Sequence, residues 1–220
     1  MTLNQKYYGG AVAVILAVLV GTIVAYPALP NIVPMHWDVH GNINGWGPKW
    51  SLFIFGPGML TAMTLLFWAL PWLSPKKFAV DTFRATYLYI MIVIVAMLAY
   101  CHLLVLASAL SSRSHTPLDV SRAIVGGICL LLALLGNVLG KVRRNFFVGI
   151  RTPWTLADER VWTETHRVAA HQWFVGGTIG ALLTLVGVPV GIMIAYFMIM
   201  ALLPVPMSFL IYKRLNPRGS

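Results

Sequence analysis

The stretch VGVPVG, Val186 to Gly191, lies in the middle of an apolar run that extends from about Phe174 to Tyr212. A membrane-crossing helix needs roughly 20 apolar residues, and this run is about twice that long. Pro189 removes a backbone donor, and the glycines on either side permit a tight turn. The run therefore reads as two spans, about Ala170–Val186 and Val190–Tyr212, joined with almost no loop.

Working back toward the N-terminus, four more apolar segments have spanning length: about Gly9–Tyr26, Leu52–Leu73, Ala85–Leu110 and Arg122–Gly140. The first reads as a retained span rather than a secretory leader, because it is long for an h-region and no A-x-A site follows it. The composition agrees with six spans. Hydrophobic residues make up 59% of the 220 and charged residues only 10%, too little polar surface to cover a soluble globule. The mean hydropathy is +0.79. Cys101 and Cys129 both lie in apolar runs, so no disulfide or zinc-ribbon framework follows. The expected fold is all-α: a polytopic bundle of six transmembrane helices.

The net charge of +10 is distributed unevenly. If six helices alternate, Lys6, Lys76, Lys77, Arg84, Lys141, Arg143, Arg144, Arg151, Arg160, Arg167, Lys213, Arg214 and Arg218 share one side. Lys49, Arg113 and Arg122 are left on the other. Basic loops mark the cytoplasmic side, so both termini are expected there. The charge is then accounted for by topology and anionic lipid rather than by nucleic acid.

Two loops of about 25 residues are rich in aromatics, which separates them from disordered connectors. The outer one reads YPALPNIVPMHWDVHGNINGWGPKW, Tyr26 to Trp50. Its prolines favour extended backbone and its glycines turns, while Trp37, Trp46 and Trp50 suit a membrane interface. The plain reading is an ordered cap on the membrane surface. The sharper one is a metal site: on extended backbone His36, Asp38 and His40 would face one way, with zinc as the ion and His115 on the same side.

The inner loop, within Gly136 to Trp173, contains GIRTPWTL, in which Thr155 or Asp158 can cap a short amphipathic helix over Ala157–His166. Trp162 and His166, four apart, are neighbours on that helix. Asn145, Arg151, Thr152, Thr155, Glu159 and His166 can converge beneath the bundle. Arg151 anchors the loop to lipid or Glu159, or contacts a ligand or partner. Inside the spans, His102 is expected to bond a backbone carbonyl on a neighbouring helix, and Asn137 to tie the fourth helix to another.

At these two loops the chain resembles a known family. LPNIVPMHWDVHGNINGWGPK is similar to a small membrane domain of unknown function marked by P-x-H-W-[ND]-x-x-G, and GNVLGKVRRNFFVGIRTPWTLADERVWTETHR resembles the signature of the SdpI family. The pattern falls on Pro34, His36, Trp37, Asp38, Gly41 and Lys49 outside. Inside it falls on Asn137, Lys141, Asn145, Gly149, Arg151, Thr152, Pro153, Trp154, Trp162 and His166. Two positions depart from it: Asp38 stands where asparagine is more usual, and Asn44 where aspartate is. His40 is not a hallmark. The resemblance implies a bacterial inner-membrane protein that confers immunity to a secreted toxic peptide and, when toxin-bound, holds a cytoplasmic repressor at the membrane.

The residues divide into an N-terminal membrane domain (1–84), a connecting third helix and outer loop (85–117) and an SdpI-like domain (118–220). NINGWGPKW and NFFVGIRTPW share an N…G…P…W skeleton on opposite faces, which suggests a 3+3 inverted repeat. Three function classes follow. The leading one binds a membrane-active peptide or lipid outside and reports to a cytoplasmic regulator. The others are a small transporter or flippase, and a membrane metalloenzyme using the outer loop, although neither loop holds a nucleophile motif.

Overall fold

The computed structural model describes residues 1–74, 79–111 and 119–217. Helix α1 (Leu3–Ala25) is followed by strands β1 (Ile32–Trp37) and β2 (Ile43–Pro48). Then come α2 (Ser51–Leu73), α3 (Arg84–Ser111) and α4 (Val120–Leu139). A short α5 (Pro153–Ala157) leads into α6 (Glu159–Leu185), and α7 (Val190–Leu202) with α8 (Pro204–Leu215) closes the chain. Among the described residues, six helical stretches are long and apolar enough to cross a membrane, with α7 and α8 forming the sixth. The class is all-α, and one two-stranded hairpin does not change it.

VGVPVG is the turn expected of it. Gly187 has φ +89, a conformation that favours glycine, and α7 starts at Val190 straight after Pro189. Three boundaries differ from the sequence reading. The amphipathic segment and the fifth span are one continuous helix, α6, because Asp158 caps it and no breaker follows until Gly187. The short helix lies earlier, at α5, where Thr152 and Thr155 form a capping box around Pro153. The last span breaks at Leu203, where Pro204 opens α8.

Helix α2 also deviates. Pro57 falls in a π-type turn over Ile54–Gly58, and Gly56 leaves helical geometry at φ −96, ψ −107. The His102 ring of α3 fills the gap, so that a Cβ on Gly56 would lie 2.4 Å from the imidazole. His102 bonds Thr22 of α1 at 2.8 Å, a side-chain hydroxyl rather than the expected carbonyl. Thr22 in turn donates to Val18 O at 2.7 Å. This pair and the gap at Gly56 lock α1, α2 and α3 together.

The most extensive helix pair is α4 with α6. Small residues bring the backbones together: a Cβ on Gly177 would lie 2.5 Å from Ala133 N, and one on Gly136 2.4 Å from Phe174 N. Close approach of this kind drives association where lipid removes the hydrophobic incentive. In the first half of the chain the main partner of α1 is α3, not the helix that follows it. The long loops of the two halves differ, a hairpin in one and a turn with a short helix in the other.

Ends alternate as six spans require. At one end, Ser121 Oγ donates to Asp38 O of the hairpin at 2.8 Å, and Arg122 Nη1 donates to Thr184 O and Val188 O beside the α6–α7 turn. At the other, Arg84 reaches Asn4, Trp162 reaches Val142 O, and Arg214 reaches Glu164. Among the described residues, Lys49 and Arg122 are the only Lys or Arg at the hairpin end. Lys76, Lys77, Arg113, His115 and Arg218 lie outside the described residues. Exposed Val12, Leu16, Val20, Leu182 and Ile199 form part of the apolar outer surface that a bilayer solvates.

Candidate functional site

The hairpin is anchored where the start of β1, Val33 and Pro34, is buried against the bundle. Val33 is fully buried with Leu29, Leu52, Leu106 and Ala109, whereas Trp46 and Trp50 remain exposed for the interface. The strand stops at Trp37, and Asp38 starts a turn. Asp38 Oδ1 accepts from the amides of His40 (2.8 Å) and Asn42 (2.9 Å), Oδ2 accepts from Asn42 Nδ2, and Gly41 takes φ +84. These bonds, led by the Asn42 amide, hold the Asp38 carboxyl below its ordinary pKa.

That turn corrects the expected convergence of His36, Asp38 and His40. The alternation of a strand ends before Asp38, whose carboxylate is turned onto the backbone. His36 Nδ1 meets Asn44 Oδ1 at 2.5 Å. Among the described residues no three His, Cys, Asp or Glu side chains are grouped to hold a metal ion. Lys49 likewise serves the loop, with Nζ 3.4 Å from Leu29 O and 4.6 Å from the Tyr26 ring centre.

His36, Trp37 and Asp38 do come together, as the roof of a cavity of about 560 Å³ beneath the hairpin. Its walls come from α3, α4 and α7, including Val105, Ile128, Ile194 and Phe197. The lining is mostly apolar, with His36, Asp38 and Ser121 concentrated near the hairpin. A few convergent polar groups above an apolar hollow is the usual form of a binding site. Sequence reasoning missed the walls, since each is an ordinary apolar residue on a spanning helix.

At the opposite end the inner loop is built around two buried residues. Asn145, fully buried, donates from Nδ2 to Arg143 O and Val148 O, and its Oδ1 accepts from the amides of Phe147 and Val148. One side chain thereby completes a turn that has no regular structure of its own. His166, 1% exposed, accepts the Ile150 amide on Nε2 at 2.9 Å and donates from Nδ1 to Trp162 O at 2.8 Å. Both ring nitrogens are thus spoken for in the neutral form. Trp162 stacks on this ring at 4.0 Å and bonds Val142 O. Gly149, at φ +118, leaves room for the imidazole, since a Cβ there would lie 2.3 Å from Nε2.

Thr155 Oγ1 donates toward Ile150 O, 2.8 Å away, within the Thr152 capping box, and Pro153 opens the helix. Trp154 Nε1 donates to Ser208 Oγ at 2.8 Å and packs on Phe209, which ties the loop to α8. Asn145, Thr152, Pro153, Trp154, Trp162 and His166 therefore belong to one structural unit. Arg151 is exposed and reaches Phe146 O rather than Glu159. Asn137 and Lys141 do not join the unit. Both are exposed, and the expected tie from Asn137 to a neighbouring helix is not formed. Arg144, whose role the sequence did not show, donates to Leu156 O and Ala157 O at the end of α5.

Six apolar spans with a shaped loop at each end define a polytopic membrane protein. Residues 141–208 match the SdpI/YfhL protein family and residues 13–61 match a domain of unknown function, DUF1648. The DUF1648 match thus lies ahead of the SdpI match along the chain. It is similar to the Immunity protein SdpI of Bacillus subtilis (strain 168), at 27% identity over 197 residues, 89% of this chain and 90% of that protein. No solved structure gives a significant match.

Proposed function

We propose that the chain is a membrane immunity protein that takes up part of a membrane-active peptide, or a lipid, in the cavity beneath the hairpin. The cavity carries the reading. It lies beneath the hairpin at one end of the bundle and offers an apolar hollow to a hydrophobic segment, with His36 and Asp38 beside it. Similarity to an immunity protein along nearly the whole chain supports the same class. By the positive-inside rule the hairpin faces away from the cytoplasm of a bacterial inner membrane, the side from which a secreted toxin arrives.

The inner loop supplies the second half of the proposal. Its buried polar groups are bonded internally, which makes it a rigid platform rather than a reactive centre. Arg151 and Phe146 are on its exposed surface, and an arginine beside an aromatic is a common anchor for a protein partner. A cytoplasmic regulator docked there would be held at the membrane. The test is protection: sensitive cells expressing the chain are challenged with membrane-active peptides. Protection lost in Trp37→Ala at unchanged protein level supports the cavity, and loss of reporter signalling alone in Arg151→Ala supports the platform. Protection unaffected by both Trp37→Ala and His36→Ala counts against specific immunity.

A further inference from the structure

A second hollow lies on the other side of α4, between α3, α4 and α6, with a volume of about 710 Å³. Its lining is almost wholly apolar, from Val93 and Met97 down to Leu134, and its charged groups are Asp119 and Arg122 at one end. That end is the hairpin end of the bundle. From Arg122 to Leu134 the groove follows α4 for about 18 Å at 1.5 Å per residue, close to the ~15 Å of one leaflet of hydrocarbon.

The charged end has a defined arrangement. Arg122 Nε and Asp119 Oδ2 are 3.0 Å apart, and Asp119 Oδ1 caps α4 by accepting the Arg122 amide at 3.0 Å. Nη1 is used on Thr184 O and Val188 O. Both side chains are half-exposed, with relative exposures of 32% and 49%. The pair is formally neutral. A purely anionic headgroup would be attracted by Arg122 and repelled by Asp119. A headgroup with a phosphate and a primary ammonium can satisfy both, phosphate to guanidinium and ammonium to carboxylate.

We propose that this groove is a site for a phospholipid of the hairpin-side leaflet with a zwitterionic primary-amine headgroup, its acyl chain lying along α4. The occupant follows from the length of the groove and from the charge pair at its mouth. Ala96, exposed on the groove wall, offers a way to fill the hollow without touching the core.

The full chain is reconstituted in nanodiscs of equal parts phosphatidylethanolamine, phosphatidylglycerol and phosphatidylcholine, and retained lipid is read by native mass spectrometry. Phosphatidylethanolamine should be retained about tenfold over each of the other two lipids, the worth of one charge-assisted hydrogen bond. Asp119→Asn keeps a good helix cap and should lose most of that preference. Ala96→Phe should lose retained lipid while its melting temperature in detergent stays at the wild-type value. Retention in bulk proportion, a preference for phosphatidylglycerol, or unchanged retention in Ala96→Phe overturns the proposal. So does a dimer that Ala96→Phe dissociates with no lipid retained, because the groove would then hold a second copy.

Discussion

The amide of Ile150 donates to Nε2 of His166 across 2.9 Å, in a site where the imidazole is 1% exposed. This bond joins the end of the irregular inner loop to the first turns of α6. His166→Phe keeps the stack on Trp162 and removes both the acceptor for Ile150 and the donor to Trp162 O. A buried group left without its partner costs about 1–3 kcal/mol. The expected result is a lower thermal midpoint in detergent with the helix content retained, measured by circular dichroism.

Gly149→Ala strikes the same point from the other side. The new methyl would lie 2.3 Å from His166 Nε2 on a backbone at φ +118. Strain of about 1–3 kcal/mol from the backbone adds to the displaced ring, so the loss should match or exceed that of His166→Phe. The same melting experiment checks it, and the double variant should be less than additive because both changes break one contact.

Helix packing gives a paired prediction. Gly177→Val would drive a side chain into the α4 backbone, 2.5 Å from Ala133 N, and should prevent a stable bundle. Gly191→Ala meets nothing within 4 Å and should leave the midpoint unchanged or raise it, by up to about 1 kcal/mol of helix propensity. Detergent-solubilised yield and gel filtration separate the two.

The hairpin turn should respond to acid. The Asp38 carboxyl is held below its ordinary value, first by the Asn42 amide. A lowered folded pKa means the carboxylate's contribution is complete above the ordinary value of 3.8 and is lost as pH falls through the lower folded one. The amide resonances of His40 and Asn42 in micelles should therefore hold steady down to that value and shift together below it. In Asp38→Asn this acid transition should vanish.

Much of the fold was readable because the bilayer imposes length: runs of about 20 apolar residues, one broken by VGVPVG, give the spans directly. The Trp162–His166 contact was readable for a similar reason, since residues four apart on a helix are neighbours. The outer triad misled because alternation was carried past Trp37, where the Asp38 turn replaces it. Asn137 was read as a tie from its depth alone, but only three-dimensional packing decides which face of α4 it occupies. The cavity walls were invisible for a different reason: Val105, Ile128, Ile194 and Phe197 are what any spanning helix contains, and only the crossing of α3, α4 and α7 makes them a site.

The central claim is that the cavity beneath the hairpin receives the toxic agent. Ile194 lies on its wall and is partly open to lipid, so Ile194→Trp fills the hollow while sparing the core. The measurement is the inhibitory concentration of a panel of membrane-active peptides against sensitive cells expressing either form at equal membrane abundance. Wild type should raise that concentration for at least one peptide, and Ile194→Trp should return it to the level of cells lacking the protein. Full protection by Ile194→Trp would contradict the account.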